Sequence, residues 1–248
     1  MTEIPLCHLM EGRFGEEIEL YRAISQESAQ QMAKKILAYR NEGYQIFQLK
    51  VGGNPNEDIE RIFETRKVLK QGEVLIADAN TGWLMHDAMR VVDAVKNIDV
   101  YIEQPCKSYE ECKSIRRMTR RPFILDENID SLKMLLNTYH DHSMDVINLK
   151  ISKVGGLTKA KQIREMCVSL GVAMTIEDSW GGDIITSAIA HLAHSTPERF
   201  RFSATDFNSY VTKSTALDAP KRENGKMKAG SSPGLGIKPN MGVLEIRF

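Results

Sequence analysis

EVLIADANTGWLMHDAMRVVDAVKNIDVYIEQP, residues 73–105, reads as strand, helix, strand. Its ends, VLIAD and VYIE, are short apolar runs rich in β-branched and aromatic residues, and MHDAMRVVDAVKN between them carries its apolar residues at helical spacing. A strand, an amphipathic helix and a second strand make the unit of a parallel sheet, because a parallel neighbour is reached only through a long crossover.

The same alternation extends in both directions. Strand-like runs occur at IELYRAIS (18–25), YQIFQLKV (44–51), EVLIADAN (73–80), DVYIEQP (99–105), PFILDE (122–127), DVINLKIS (145–152), GVAMTIED (171–178) and RFRFSATD (199–206). Eight is the number that closes a small barrel. Between them lie helical stretches such as SAQQMAKKILAYRNEG, NEDIERIFETRKVLKQG and LTKAKQIREMCVSLG, several ending at glycine as helix C-termini often do. From Asn208 the pattern gives way to a Gly-, Pro-, Ser- and Lys-rich stretch that reads as a surface excursion. The expected organisation is a junction over 1–16, an α/β barrel over 17–207 and a C-terminal excursion over 208–248.

The 248 residues are enough for one such domain. Lys plus Arg and Asp plus Glu each total 33, so no basic face for nucleic acid or anionic lipid is implied, and a small molecule or another copy of the chain, as a homo-oligomer, is the expected partner. Cys7, Cys106, Cys112 and Cys167 are scattered without a C-x-x-C pair, which suits a reducing compartment and ordinary buried thiols. No signal-like start and no run near the ~20 apolar residues of a membrane span are present, so a cytoplasmic protein is expected. The six histidines show no ligand motif with an accompanying carboxylate; His191 and His194, three apart on one helix, read as core or surface.

Consecutive strands end in ionisable residues: Lys50, Asp78, Glu103, Asp126, Lys150 and Asp178, separated by 28, 25, 23, 24 and 28 residues, one βα unit each. Any one of them is an ordinary solvated strand end; six in succession are not. In a parallel barrel the C-terminal strand ends share one mouth, where such enzymes keep their sites. Alternation along a strand puts Gln48 with Lys50, Ile76 with Asp78 and Asn80, Tyr101 with Glu103, and Asn148 with Lys150. Carboxylates buried side by side are costly without a divalent cation, and oxygen ligands without His or Cys favour Mg²⁺, with Mn²⁺ as a substitute. A lysine beside that charge is disposed to act as a base.

The ordered strings FQLKVGG, IADANTGW, YIEQP, ILDEN and NLKISKVGGLTKAKQI resemble the second to sixth barrel strands of the enolase superfamily, in its mandelate racemase and muconate lactonizing branch. The resemblance implies a TIM-type (β/α)7β barrel, Asp78, Glu103 and Asp126 as metal ligands, and Lys50 and Lys150 as acid/base groups on opposite faces of a substrate carboxylate whose α-proton leaves through an enediolate. Glu127 and Lys153 then stand behind these groups, and Asn80 contacts a ligand or a lysine. Where the branch often has K-x-K on the second strand, this chain has Gln48. EDSWGGD, DEN and SATDFNSY resemble members that act on proline derivatives, the cis-3-hydroxy-L-proline dehydratases and the 2-epimerases of proline and hydroxyproline betaines. Trp180 is then expected to face the substrate ammonium by cation–π attraction, with Asp178 or Asp183 adding charge, whereas Trp83 is expected to pack.

The start, PLCHLMEGRFGEE, resembles the junction before the first barrel strand, so the branch's N-terminal α+β capping domain is expected to be absent, GVLEIRF to be cut short, and turnover to be weak without a lid. Alternatives are a dipeptide epimerase, a muconate cycloisomerase, an acid-sugar dehydratase (which usually has a histidine on the seventh strand) and a metal-binding barrel with a scaffolding role.

Overall fold

The computed structural model describes residues 3–243, so most of the GVLEIRF ending, residues 244–248, lies outside the described residues. The chain forms two compact units, Tyr21–Asn148 and Met1–Leu20 with Leu149–Phe248. The second unit begins with a one-turn helix, α1 (Leu6–Leu9), and a short strand, β1 (Ile18–Glu19).

Tyr21–Asn148 alternates strand and helix without interruption. Its elements are β2 (Tyr21–Ile24), α2 (Ala29–Asn41), β3 (Ile46–Lys50), α3 (Pro55–Val68), β4 (Val74–Asp78), α4 (Met85–Ala94), β5 (Tyr101–Glu103), α5 (Tyr109–Met118), β6 (Phe123–Leu125) and α6 (Leu132–His140), with β7 (Val146–Lys150) beginning at its end. Local chemistry starts the helices. Ser28 and Ser108 each close a capping box, with Gln31 and Glu111 three residues on, and Asn54 caps α3 ahead of Pro55. On β3, Phe47 and Leu49 are fully buried and Gln48, on the other face, is nearly so, the two-sided burial of a parallel strand covered by helices.

The pairing is parallel throughout, and its register places the charges. Lys50 sits opposite Asp78 and Asp78 opposite Glu103, so three charged residues share one rung at about 4.8 Å per strand. Glu103 faces Ile124, which puts Asp126 two residues above that rung, just past β6.

The other unit continues from β7 with α7 (Leu157–Leu170), β8 (Ala173–Glu177), α8 (Asp183–His194) and β9 (Arg201–Ala204). α7 ends on Gly171 in the left-handed conformation. Strands β2 to β9 follow one another in chain order in one sheet, and with α2 to α8 between them the order is that of a (β/α)7β barrel. The first strand-like run, IELYRAIS, is split: Ile18–Glu19 pairs antiparallel with β11 (Lys226–Met227), Leu20 makes a parallel bridge to Ala204, and Tyr21–Ile24 joins the parallel sheet beside β3. The excursion after residue 208 is more ordered than its composition suggests. It contains β10 (Ala216–Leu217), β11 and β12 (Lys238–Pro239), with β10 paired to β12 and Ala216, Met227 and Ala229 buried.

The four cysteines are free and buried. Burial pushes the thiols of Cys106 up to about 11 and those of Cys112 and Cys167 up to about 12, so they stay protonated. No helix among the described residues is long and apolar enough to cross a membrane.

Candidate active site

Within Tyr21–Asn148 the carboxylates of Asp78, Glu103 and Asp126 are each 1 % exposed. Lys50 Nζ donates to Asp78 Oδ2 at 2.5 Å. Glu103 is held from two strands: Gln48 Nε2 donates to both its oxygens at 3.0 and 3.2 Å, and Asn148 Nδ2 to Oε1 at 2.6 Å. These contacts fix the orientation of both amides, because only an NH₂ can face a carboxylate, and Gln48 Oε1 and Asn148 Oδ1 are left as buried acceptors without a hydrogen-bond partner. Gln48 therefore serves Glu103 as a neutral donor.

Among the described residues no three His, Cys, Asp or Glu side chains are gathered into a ready coordination set. Lys50 and the two amides engage Asp78 and Glu103 instead. The donor chemistry nevertheless fits a hard cation: three buried carboxylates from the ends of adjacent strands and no nitrogen or sulfur ligand among them. Mutual repulsion of the three would be relieved by a divalent charge.

The loops after these strands are tied down by polar residues that sequence reading passed over. Asp58, fully buried on α3, accepts from the N–H groups of Gly52 and Gly53 at 3.0 and 2.8 Å, directly after Lys50, and from Trp83 Nε1 at 2.8 Å. Trp83 is thus a packed residue with its one donor satisfied. After Asp78, Asn80 and Thr81 adopt left-handed backbone (φ 43° and 66°), the Asn80 N–H bonds to Asp78 Oδ1 at 2.9 Å, and Asn80 Nδ2 reaches Glu127 at 3.3 Å.

In the other unit Lys150 Nζ lies 3.5 Å from Glu177, a buried carboxylate at the end of β8. Glu177 was legible: Met174 and Ile176 are apolar, Thr175 and Glu177 polar, and period-two alternation puts the polar pair on one face. Asp178 is spent on architecture: its carboxylate accepts from the Ser152 N–H at 3.1 and 3.2 Å, from the Ser152 hydroxyl and from the Ser179 N–H at 2.7 Å. Asp183, buried at the start of α8, accepts from Ser214 Oγ, Asn208 Nδ2 and the N–H groups of Thr215 and Ala216 at 2.6–3.1 Å. Burial pushes its carboxyl up, and these hydrogen bonds together bring it below its ordinary value. Both aspartates hold loops and have little capacity left for a ligand. Lys153 is half-buried in the loop after β7.

Trp180 differs from them in being 62 % exposed, with its ring against Phe207 and Tyr210 at centroid distances of 5.5 and 6.0 Å. His191 and His194 are core residues. His191 Nδ1 accepts from the Cys7 N–H at 3.1 Å, and burial, with Arg13 nearby, pushes His194 down to about 4.

A (β/α)7β strand order with carboxylates at successive strand ends defines the class, and sequence comparison agrees. Residues 31–243 match the Enolase C-terminal domain-like family, and the chain belongs to it. It is 60 % identical over 243 residues to a cis-3-hydroxy-L-proline dehydratase of Roseibium aggregatum, across 98 % of this chain and 66 % of that protein, so it spans just under two thirds of that relative's length. The fold superposes with a TM-score of 0.94 on the crystal structure of a mandelate racemase/muconate lactonizing enzyme from Roseovarius nubinhibens, at 38 % identity over 98 % of this chain and 68 % of that one. A second protein of that kind from the same organism, solved as a complex with magnesium, gives 0.92 at 32 % identity over 97 % of this chain and 68 % of that one.

Proposed function

We propose that this chain binds Mg²⁺ on Asp78, Glu103 and Asp126 and uses Lys50 and Lys150 to move protons at the carbon beside the carboxylate of a proline-type substrate, with dehydration of cis-3-hydroxy-L-proline as its reaction. The observation that carries the reading is the shared rung of Lys50, Asp78 and Glu103, with Asp126 just above it and every carboxylate buried. The metal, when bound, supplies a positive charge for the substrate carboxylate and for the negative charge that develops there as the α-proton leaves.

The substrate class rests on the dehydratase at 60 % identity. Its chemistry asks for two proton-handling groups. In the cis isomer the C3 hydroxyl lies on the ring face opposite the α-hydrogen, so elimination needs a base on one face and an acid on the other. One lysine as neutral amine takes the proton from Cα, the other as ammonium delivers a proton to the departing hydroxyl, and water leaves as the C2–C3 double bond forms. Where no leaving group is present, the second lysine returns the proton to Cα and the outcome is epimerisation. Trp180, exposed and backed by two rings, suits the ring ammonium, a contact worth about 0.5–2 kcal/mol.

The test is incubation of the chain with Mg²⁺ in D₂O, once with cis-3-hydroxy-L-proline and once with proline betaine, followed by NMR. Loss of the hydroxyproline C3 carbinol signal with formation of the dehydrated product supports dehydration, and deuteration of the betaine without elimination supports epimerisation. Mg²⁺ binding with no lysine-dependent exchange on either compound would leave a metal-binding scaffold.

A further inference from the structure

We infer that Gln104 is the positioning residue that sets the spacing of the three carboxylates, because it bonds to all three strand ends at once. The inference rests on the reading of Asp78, Glu103 and Asp126 as cation ligands. Gln104 follows Glu103 directly, is fully buried and holds a backbone φ of 35°, a left-handed conformation in which a non-glycine residue persists only when its surroundings enforce it.

The enforcement comes from every polar atom it has. Its backbone N–H donates to the Ile124 carbonyl at 3.0 Å, and its carbonyl accepts from the Thr81 N–H at 2.9 Å, in the turn that follows Asp78. The side-chain Oε1 accepts from the Asp126 N–H at 2.9 Å and the Asn128 N–H at 3.4 Å, while Nε2 donates to Asn128 Oδ1 at 2.6 Å and the Cys106 carbonyl at 3.1 Å. Two acceptor sites and two donors are thus all used. Glutamate lacks the donors, methionine has neither, and asparagine is one methylene short. A residue so saturated transmits the position of Glu103 to Asp126 and to the Asp78 turn with little slack, the role of the outer hydrogen bonds that orient metal ligands elsewhere.

The experiment measures Mn²⁺ affinity of the full chain by calorimetry, well below the unfolding temperature, together with the thermal midpoint in EDTA. Gln104→Met is expected to weaken Mn²⁺ binding about tenfold or more. Asn128→Ala, at a partly exposed partner, is expected to weaken it about threefold. Thr138→Val, which removes a buried hydroxyl bond on α6 away from these loops, is expected to lower the midpoint and leave affinity unchanged. Native affinity in Gln104→Met overturns the inference, and so does native affinity in Asn128→Ala should Gln104→Met fail to fold. Asp126→Asn separates the two readings: if it still binds Mn²⁺ like the wild type, or if the wild type does not bind, the ligand assignment itself fails and the inference with it.

Discussion

Lys50 donates to Asp78 at 2.5 Å, and under the proposed function that contact would place two demands on one side chain: the ammonium stabilises a buried carboxylate, while the proposed proton abstraction needs the neutral amine. The roles separate by mutation. Lys50→Met is expected to reduce α-proton exchange by about 10²–10⁴-fold, while Mn²⁺ affinity stays the same or tightens, since Asp78 loses a competing cation; exchange at the wild-type rate, followed by NMR in D₂O, would remove Lys50 from the chemistry. The residue scale is also where sequence reading went furthest and where it stopped. Alternation grouped Gln48 with Lys50, Ile76 with Asp78, and Tyr101 with Glu103, because a strand's period of two is a local property; the register across strands is what sets Lys50, Asp78 and Glu103 on one rung. Sequence reading set Asp178 or Asp183 beside the substrate ammonium, whereas in the structure Asp178 accepts hydrogen bonds from Ser152 and Ser179, and Asp183 from Asn208 and residues 214–216. Which neighbours engage an acid depends on residues far along the chain.

Elements owe their accuracy to a few close approaches. Gly52, at φ 97°, lies against the carbonyl of Ala79, so a Cβ there would run into backbone that has nowhere to retreat. Gly52→Ala is expected to cost about 2 kcal/mol or more through the unfavourable backbone conformation and the clash, read from the urea midpoint; a variant as stable as the parent would show that the turn after Lys50 can give way. On α8, His194 is buried and its pKa is pushed to about 4, first by burial and then by the nearby Arg13 charge. An unfolded histidine takes its proton near 6.5. Between pH 4 and 6.5 the unfolded chain therefore binds more protons, so stability is fully present above about 6.5 and is lost as pH falls towards 4. A thermal midpoint that declines through this window, and declines less in His194→Gln, is the expected result. The structure adds the caps Ser28, Asn54 and Ser108, but the helices themselves were legible from apolar residues at helical spacing and glycines at their ends, which act over a few residues. The split of the first strand run at Leu20 was not, since the partner that draws Ile18–Glu19 aside is residues 226–227.

For the molecule as a whole, folding and cation binding should be linked, since the proposed ligands come from the ends of three different strands and are brought together only in the native chain. Mg²⁺ at about one hundred times its dissociation constant is expected to add about 2.7 kcal/mol to stability, seen as a rise in thermal midpoint that EDTA reverses and Asp126→Asn abolishes; a midpoint indifferent to Mg²⁺ would count against the metal site. The sequence by itself determined the order of strands and helices, the barrel class and the succession of charges at strand ends, because hydrophobic period and turn glycines act over a few residues. Tertiary structure alone decided that Gln48 and Asn148 hold Glu103, that Glu177 rather than Asp178 meets Lys150, and that Gln104 joins three strand ends. Those are contacts across tens of residues, and they are fixed by the register of parallel strands and the path of the loops, which no local pattern encodes.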